Sequence, residues 1–319
     1  MTTRVEIEAR TLGRSGVTVP RIALGCGNFG GVGSAPEFFG QGLDEDQAFA
    51  IMDVAWDLGI NHFDTADAYG GGRSETTIGT WMRSRGHRPL LTTKTYNPMA
   101  AGGDHGLAPE RMERQLRSSL ARLGVEQVDL YLTHEFDPDV APARVVEALE
   151  QFRAQGLIRA AGVSNYGAAE LRATLAGGHV DAIQNSYSLL VRADEAELLP
   201  LCARERVSYT VYSPLAGGWL TGKYRRGSEY PPGSRMTQRP EGYAAFVSDG
   251  VFDAIERLAE LAAGRGISTA ALALSWLLAH PDVTAIVVGP MHPGHLDPVR
   301  EALANPLDGA AREEIAGLF

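Results

Sequence analysis

One pattern restricts the fold of this chain more than any other: short apolar runs that end in polar residues alternate with stretches of helical periodicity. The apolar runs cover 22–25, 61–64, 90–94, 128–134, 158–163, 181–185, 207–212 and 284–288, eight in all. Between them, Ala48, Ile51, Met52, Ala55 and Trp56 share one helical face, and Met112, Leu116, Leu120 and Leu123 make a similar stripe. Gly59, Gly124 and Gly156 each follow such a stripe and precede an aliphatic run, where a left-handed helix cap favours a residue without a Cβ. Repeated short connections of this kind favour a parallel sheet. Eight units closing on themselves predict an α/β fold, the (β/α)8 TIM barrel. No linker divides the chain, so a single domain over 1–319 is expected. An N-terminal hairpin near residues 10–20, a long Gly/Pro-rich loop at 217–245 and a helix at 268–279 are extra to the eight units.

Composition narrows the function classes. Hydrophobic residues make up 44% and charged ones 21%, without biased tracts, which is ordinary for a globular protein. The formal net charge is −10 and the arginines are scattered among acids, so a nucleic-acid partner is not expected. The N-terminal MTTRVEIEARTLGRSG lacks the apolar run of a signal peptide, and no stretch has the uncharged length of a membrane span. Cytoplasmic localisation without membrane association is the expectation. Cys26 and Cys202 have no metal-type spacing and read as inert buried thiols. His292 and His295 lie between prolines with no nearby Cys or carboxylate pair, so no metal site is expected. Oligomeric state leaves no mark in the sequence.

Gly25-Cys-Gly27-Asn-Phe-Gly30 matches the dinucleotide fingerprint superficially. A Rossmann loop opens directly into a helix, whereas this one continues as GVGSAPEFFGQG, which does not support one. A short-chain dehydrogenase is also excluded, since none of the ten tyrosines has a lysine four residues later.

Active sites of (β/α)8 barrels form at the C-terminal ends of the strands. There the chain offers Asp64, Lys94, His134, Ser164-Asn165, Gln184-Asn185 and Tyr212-Ser213 in strand order. Lys94 and Lys223 are the only lysines against 27 arginines, so Lys94 stands where lysine chemistry rather than mere charge is wanted. Asp64 opens FDTADAYG, which places Tyr69 one short loop beyond the same strand end. A neighbouring ammonium is expected to lower the phenol pKa from about 10 and so prepare a proton donor. Asp64 would keep Lys94 charged, and His134 would hydrogen-bond a carbonyl oxygen as charge develops on it. Each residue also has a plain structural explanation: a turn cap for Asp64, packing for Tyr69, a core imidazole for His134.

FDTADAYGGGRSE, LLTTK, VDLYLTH, GVSNY, IQNSYS and VYSPLAGGWLTGKY, in this order and spacing, resemble the aldo-keto reductase superfamily over nearly the whole chain. The resemblance implies the same (β/α)8 barrel and a reductase that passes a hydride from a nicotinamide cofactor to an aldehyde or ketone. It implies Asp64, Tyr69, Lys94 and His134 as the catalytic tetrad with Tyr69 as general acid. It further implies that Ser164, Asn165 and Gln184 hold the carboxamide region, that Tyr212 stacks on the ring, and that Ser213, Pro214 and Leu215 follow the pyrophosphate. Asn28, Asp64 and Gly289 count as cofactor-facing too. The 217–245 loop, with GKY at 222–224 and PPGSR at 231–235, looks like that of the potassium-channel β-subunit branch, which implicates Lys223 and Arg235 as phosphate contacts.

One segment departs from the pattern. Where the family reads roughly I-G-A-x-x-x-x-Q/R-L-x-E-N, this chain reads Val288-Gly-Pro-Met-His-Pro-Gly-His295-Leu-Asp-Pro298-Val299. His295 replaces the usual Arg or Gln, and Pro298-Val299 the Glu-Asn pair that reads the adenine in the family; the resemblance implies NADPH, and this departure weakens that preference and leaves NADH possible. Phe29, Tyr96, Phe136 and Trp219 are expected near the opening, where they would suit an apolar carbonyl substrate. Two other functions use the same residues: a lyase with Lys94 as Schiff-base nucleophile, and a redox-sensing regulatory subunit with little turnover.

Overall fold

The structure, a computed structural model, describes residues 7–319. Eight parallel strands close into a barrel: β3 (Ile22–Gly25), β4 (His62–Asp64), β5 (Leu90–Thr95), β6 (Val128–Thr133), β7 (Ile158–Ser164), β8 (Ala182–Ser186), β9 (Ser208–Tyr212) and β10 (Val283–Val288). Each neighbours its predecessor, and β10 pairs with β3 to complete the ring. All eight fall within one residue of the bounds expected from the apolar runs.

Helices cover the outside. The helix α1 (Glu45–Asp57) starts at Asp44, whose carboxylate accepts from the Gln47 amide nitrogen at 2.9 Å while the Gln47 side chain returns the bond at 3.1 Å. Helices α2 (Arg73–Arg85), α3 (Pro109–Leu123), α4 (Pro142–Ala154), α5 (Ala168–Gly177) and α6 (Leu198–Glu205) follow β4 to β8 in turn. Their apolar faces pack on the sheet, Tyr131 of β6 meeting Phe152 of α4 with ring centroids 6.3 Å apart.

The N-terminal hairpin, β1 (Ala9–Thr11) paired antiparallel with β2 (Thr18–Pro20), lies across the bottom of the barrel. Leu12, Val17 and Val19 pack on the inward-facing Leu130, Leu132, Ala160 and Ala182 as a core cluster of their own. The hairpin turn presses on the start of β8, and a Cβ on Gly13 would come 2.4 Å from the Asp181 carbonyl oxygen. Inside the barrel, Gly162 leaves room for Leu132, because a Cβ there would stand 2.7 Å from Leu132 Cδ2.

The 217–245 segment is more ordered than a Gly/Pro-rich loop leads one to expect. It contains short turns of 3-10 helix at Ala216–Thr221 and Pro240–Phe246 around a four-residue helix, α7 (Arg235–Gln238). Its aromatic residues pack on one another and hold these turns. The helices α8 (Asp249–Gly264) and α9 (Thr269–Leu278) lead back to β10, the latter matching the expected helix at 268–279.

Candidate active site

The barrel mouth is built around one buried lysine. Lys94 Nζ lies 2.5 Å from Asp64 Oδ1, 2.9 Å from the Thr65 carbonyl oxygen and 3.5 Å from the Tyr69 hydroxyl. Strand pairing continues past β4, with Thr65 N donating to Thr92 O and Asp67 N to Lys94 O, which carries the chain over Lys94 before it turns. The turn is made by Gly70, Gly71 and Gly72 at φ of 60°, 66° and 89°. Gly70 also passes within 2.8 Å of the Gly30 backbone at the place a Cβ would occupy, so no other residue fits there. Tyr69 is thereby fixed over the lysine, and His134 meets its ring edge-on with centroids 5.5 Å apart.

Electrostatics here differ from the expectation in one respect. Burial opposes the charge on Lys94, but Asp64 and then Tyr69 outweigh it and raise the ammonium above its ordinary value. The Tyr69 phenol is raised, not lowered. Burial dominates, Lys94 pulls it down, and Asp64 pushes it up again. Lys94 still favours the phenolate through its charge and its hydrogen bond, but burial of the hydroxyl outweighs it. His134 is brought down to about 3 by burial, helped by Lys94, so its imidazole is neutral across the physiological range. Its Nδ1 is buried and reaches no partner, which favours the tautomer with the proton on Nε2.

The far side of the mouth is a continuous hydrogen-bond chain. Gln184 Nε2 donates to Asp64 Oδ2 at 2.8 Å, and the Ser164 hydroxyl donates to the Gln184 carbonyl at 2.7 Å. Asn165, held at φ 60°, donates from Nδ2 to His134 O at 2.8 Å and to Glu135 Oε1 at 3.1 Å. Its Oδ1 accepts from the Tyr212 hydroxyl at 2.6 Å. Left-handed backbone at a non-glycine residue is strained, and here the strain aims an amide into the site. The structure therefore joins Asp64, Tyr69, Lys94, His134, Ser164, Asn165, Gln184 and Tyr212 in one constellation. Sequence reasoning missed Glu135, which sits beside His134, and Asp67, which is buried under the Tyr69 turn. A carboxylate flanking each strand-end residue was the available signal.

Past β9 the backbone turns left-handed at Ser213, Ala216, Gly217 and Gly218, with Pro214 and Leu215 between. Successive turns of this sort point amide groups into a concavity that suits phosphate oxygens. Lys223 reaches this turn, since a Cβ on Gly218 would lie 2.6 Å from its Nζ. Arg235 Nη2 donates to Asn28 Oδ1 at 3.0 Å, and Gly289 flanks the same Asn28 side chain. Among the described residues neither Lys223 nor Arg235 has a carboxylate partner. Burial lowers the Arg235 guanidinium from its ordinary value, as expected for a desolvated cation without an anion beside it. The exposed His295 ring lies 3.7 Å from that of His292, and its imidazole is lowered by partial burial, then by His292 and by Lys223. Lys223 at this turn and Arg235 at Asn28, each without a carboxylate partner among the described residues, suit the phosphates of a dinucleotide cofactor.

The expected substrate-lining residues divide. Tyr96 and Phe136 are half-buried near the mouth, Phe136 packing edge-on to Tyr166 at 5.2 Å. Phe29 and Trp219 have no exposed surface and so cannot line an opening. Phe29 is part of the main core. Trp219 packs against Tyr224, Phe246 and Phe252, where it anchors the long loop.

The family model for the aldo/keto reductase family matches residues 21–318. The NADH-specific methylglyoxal reductase of Escherichia coli (strain K12) is 33% identical over 92% of this chain and 91% of its own. A probable voltage-gated potassium channel subunit beta of Oryza sativa subsp. japonica is 31% identical, with 89% and 87% covered. Among solved structures, an aldo-keto reductase from Bacillus halodurans in its holo form superposes with a TM-score of 0.79 at 26% identity, covering 98% of this chain and 96% of that one. Matched by the family model from the first barrel strand to the C-terminal helix, the chain belongs to the aldo/keto reductase family.

Proposed function

We propose that this protein reduces an aldehyde or ketone to the alcohol, with NADPH as the preferred cofactor, NADH as the alternative and Tyr69 as the general acid. The observation that carries this reading is the buried Lys94 ammonium shared between Asp64 Oδ1 and the Tyr69 hydroxyl, next to a neutral His134. When bound, the cofactor supplies the hydride to the carbonyl carbon. His134 donates from Nε2 to the carbonyl oxygen and so orients it toward Tyr69. Tyr69 gives its hydroxyl proton to that oxygen, and Lys94 stabilises the phenolate left behind. Asp64 and Gln184 hold Lys94 where both tasks are possible.

The raised Tyr69 phenol stays protonated at neutral pH, which suits the direction of reduction. Asn165, Ser164 and Gln184 would face the carboxamide, Tyr212 the ring, Ser213 to Leu215 the pyrophosphate, and Lys223, Arg235 and His295 the remaining phosphate. An ammonium held against a carboxylate and raised above its ordinary value is a poor Schiff-base nucleophile, which argues against a lyase. The test is a panel of aldehydes and ketones with NADPH and with NADH. Substrate-dependent loss of nicotinamide absorbance is expected, and its absence with every carbonyl would overturn the proposal.

A further inference from the structure

Among the described residues no cation forms an ion pair with the acids on the loop after His134. Glu135 follows His134 directly at the end of β6, is half-buried, and among the described residues accepts a hydrogen bond from the uncharged Asn165 amide alone. Glu170 on α5 faces it with the same charge, and Tyr96, Tyr166 and Tyr212 all lie within its field. Asp137 and Asp139, on the same loop, face Tyr96 as well. Arg111 acts on that ring with the opposite sign, but its guanidinium is taken up by the carbonyls of Asn97, Asp104 and Gly106, the Thr95 hydroxyl and the Asp104 carboxylate. His105 packs edge-on to Tyr96 at 5.9 Å. Deeper in the mouth, Lys94 and Asp64 cancel each other and His134 is neutral.

We propose that Glu135 is a specificity-determining residue whose carboxylate rejects carbonyl substrates bearing a negative charge and leaves the site selective for uncharged ones. This rests on the carbonyl-reductase reading above. A carboxylated substrate hydrogen-bonded to His134 brings its negative charge next to Glu135, which has no cation partner among the described residues. Repulsion between like charges at a partly buried rim is enough to change kcat/KM about five- to tenfold. Burial, opposed by the Asn165 hydrogen bond and assisted by Glu170, brings the Glu135 carboxyl up to about 7. Discrimination therefore reaches its full extent above that pH and relaxes below it, where the acid is protonated.

The test compares para-carboxybenzaldehyde with para-tolualdehyde between about pH 5.5 and about pH 8.5, a range in which the substrate carboxylate is ionised throughout. The ratio of the two kcat/KM values is internal to each enzyme form, so a general loss in a variant cancels. Wild type should favour the neutral aldehyde increasingly, about five- to tenfold, as pH rises through 7, and Glu135→Gln, which keeps the size and the acceptor, should show a lower, flat ratio. A ratio indifferent to both pH and mutation overturns the inference, as does a pH slope that persists in Glu135→Gln and so belongs to His105 or Glu170. Turnover of neither aldehyde by the wild type would instead remove the reductase reading, and this inference with it.

Discussion

Gln184 and Asp64 stand 120 residues apart in the chain and are hydrogen-bonded across the barrel mouth, Nε2 to Oδ2 at 2.8 Å, which leaves Oδ1 for Lys94. Gln184 thus supports the lysine through the carboxylate rather than by touching it. Gln184→Leu should leave Oδ2 a buried acceptor without a donor, at a cost of about 1–3 kcal/mol in stability. Turnover should fall further than this loss explains, because Asp64 is free to rotate away from Lys94. Urea denaturation together with kcat separates the two effects, and wild-type kcat in the variant would refute the support role.

The raised phenol of Tyr69 predicts the shape of two pH profiles. Reduction of an uncharged aldehyde needs the protonated phenol, so its rate should stay level through neutrality and decline only above the ordinary phenol range of about 10. Oxidation of the alcohol needs the phenolate and should rise with pH over the same range. His134, at about 3, contributes no limb near neutrality. Tyr69→Phe should lower turnover by about 10²–10⁴ and erase the alkaline limb while cofactor still binds. Stopped-flow single turnovers across pH check this, and a variant with its limb intact would assign the limb elsewhere.

Arg235 is the cation best placed to meet a phosphate beyond Asn28. Charge-assisted contacts with a phosphate monoester predict that Arg235→Ala weakens NADPH by roughly 1.5–3 kcal/mol and leaves NADH nearly unchanged. Titration of both cofactors by tryptophan quenching reads the difference. Equal losses would put Arg235 on the pyrophosphate instead.

Asp67, buried beneath the Tyr69 turn, has its carboxyl raised from 3.8 to about 7, mainly by burial, with a hydrogen bond from Thr95 pulling the other way. A carboxyl raised by folding favours the folded state while protonated, so stability falls as pH rises from the unfolded value through the folded one. Asp67→Asn should remove that loss, stabilising the protein by on the order of 2–4 kcal/mol above pH 8 and by little near pH 4. Thermal denaturation at both pH values tests it, and a Tm difference that does not change with pH would exclude the mechanism.

The barrel was legible because period and strand-end chemistry are local properties: Asp64, Lys94 and His134 each close an apolar run, and the fold brings such ends together. Phe29 and Trp219 were not legible in the same way. An aromatic residue in a Gly-rich loop packs inward or outward depending on partners such as Phe252, which lies far along the chain. The direction of the Tyr69 shift escaped for a related reason. It turns first on how deeply the fold buries the hydroxyl, which spacing does not encode. Glu135, in HEFDPD, reads as one surface acid among several until the absence of a cation beside it is seen.

The hairpin across the bottom of the barrel leaves the fold lopsided. Leu12, Val17 and Val19 seat on Leu130, Leu132, Ala160 and Ala182, and side chains fill the barrel interior there. A small molecule meeting Lys94 and Tyr69 would therefore have to approach from the strand-end face, so changes in the hairpin should act on stability and leave that approach as it is.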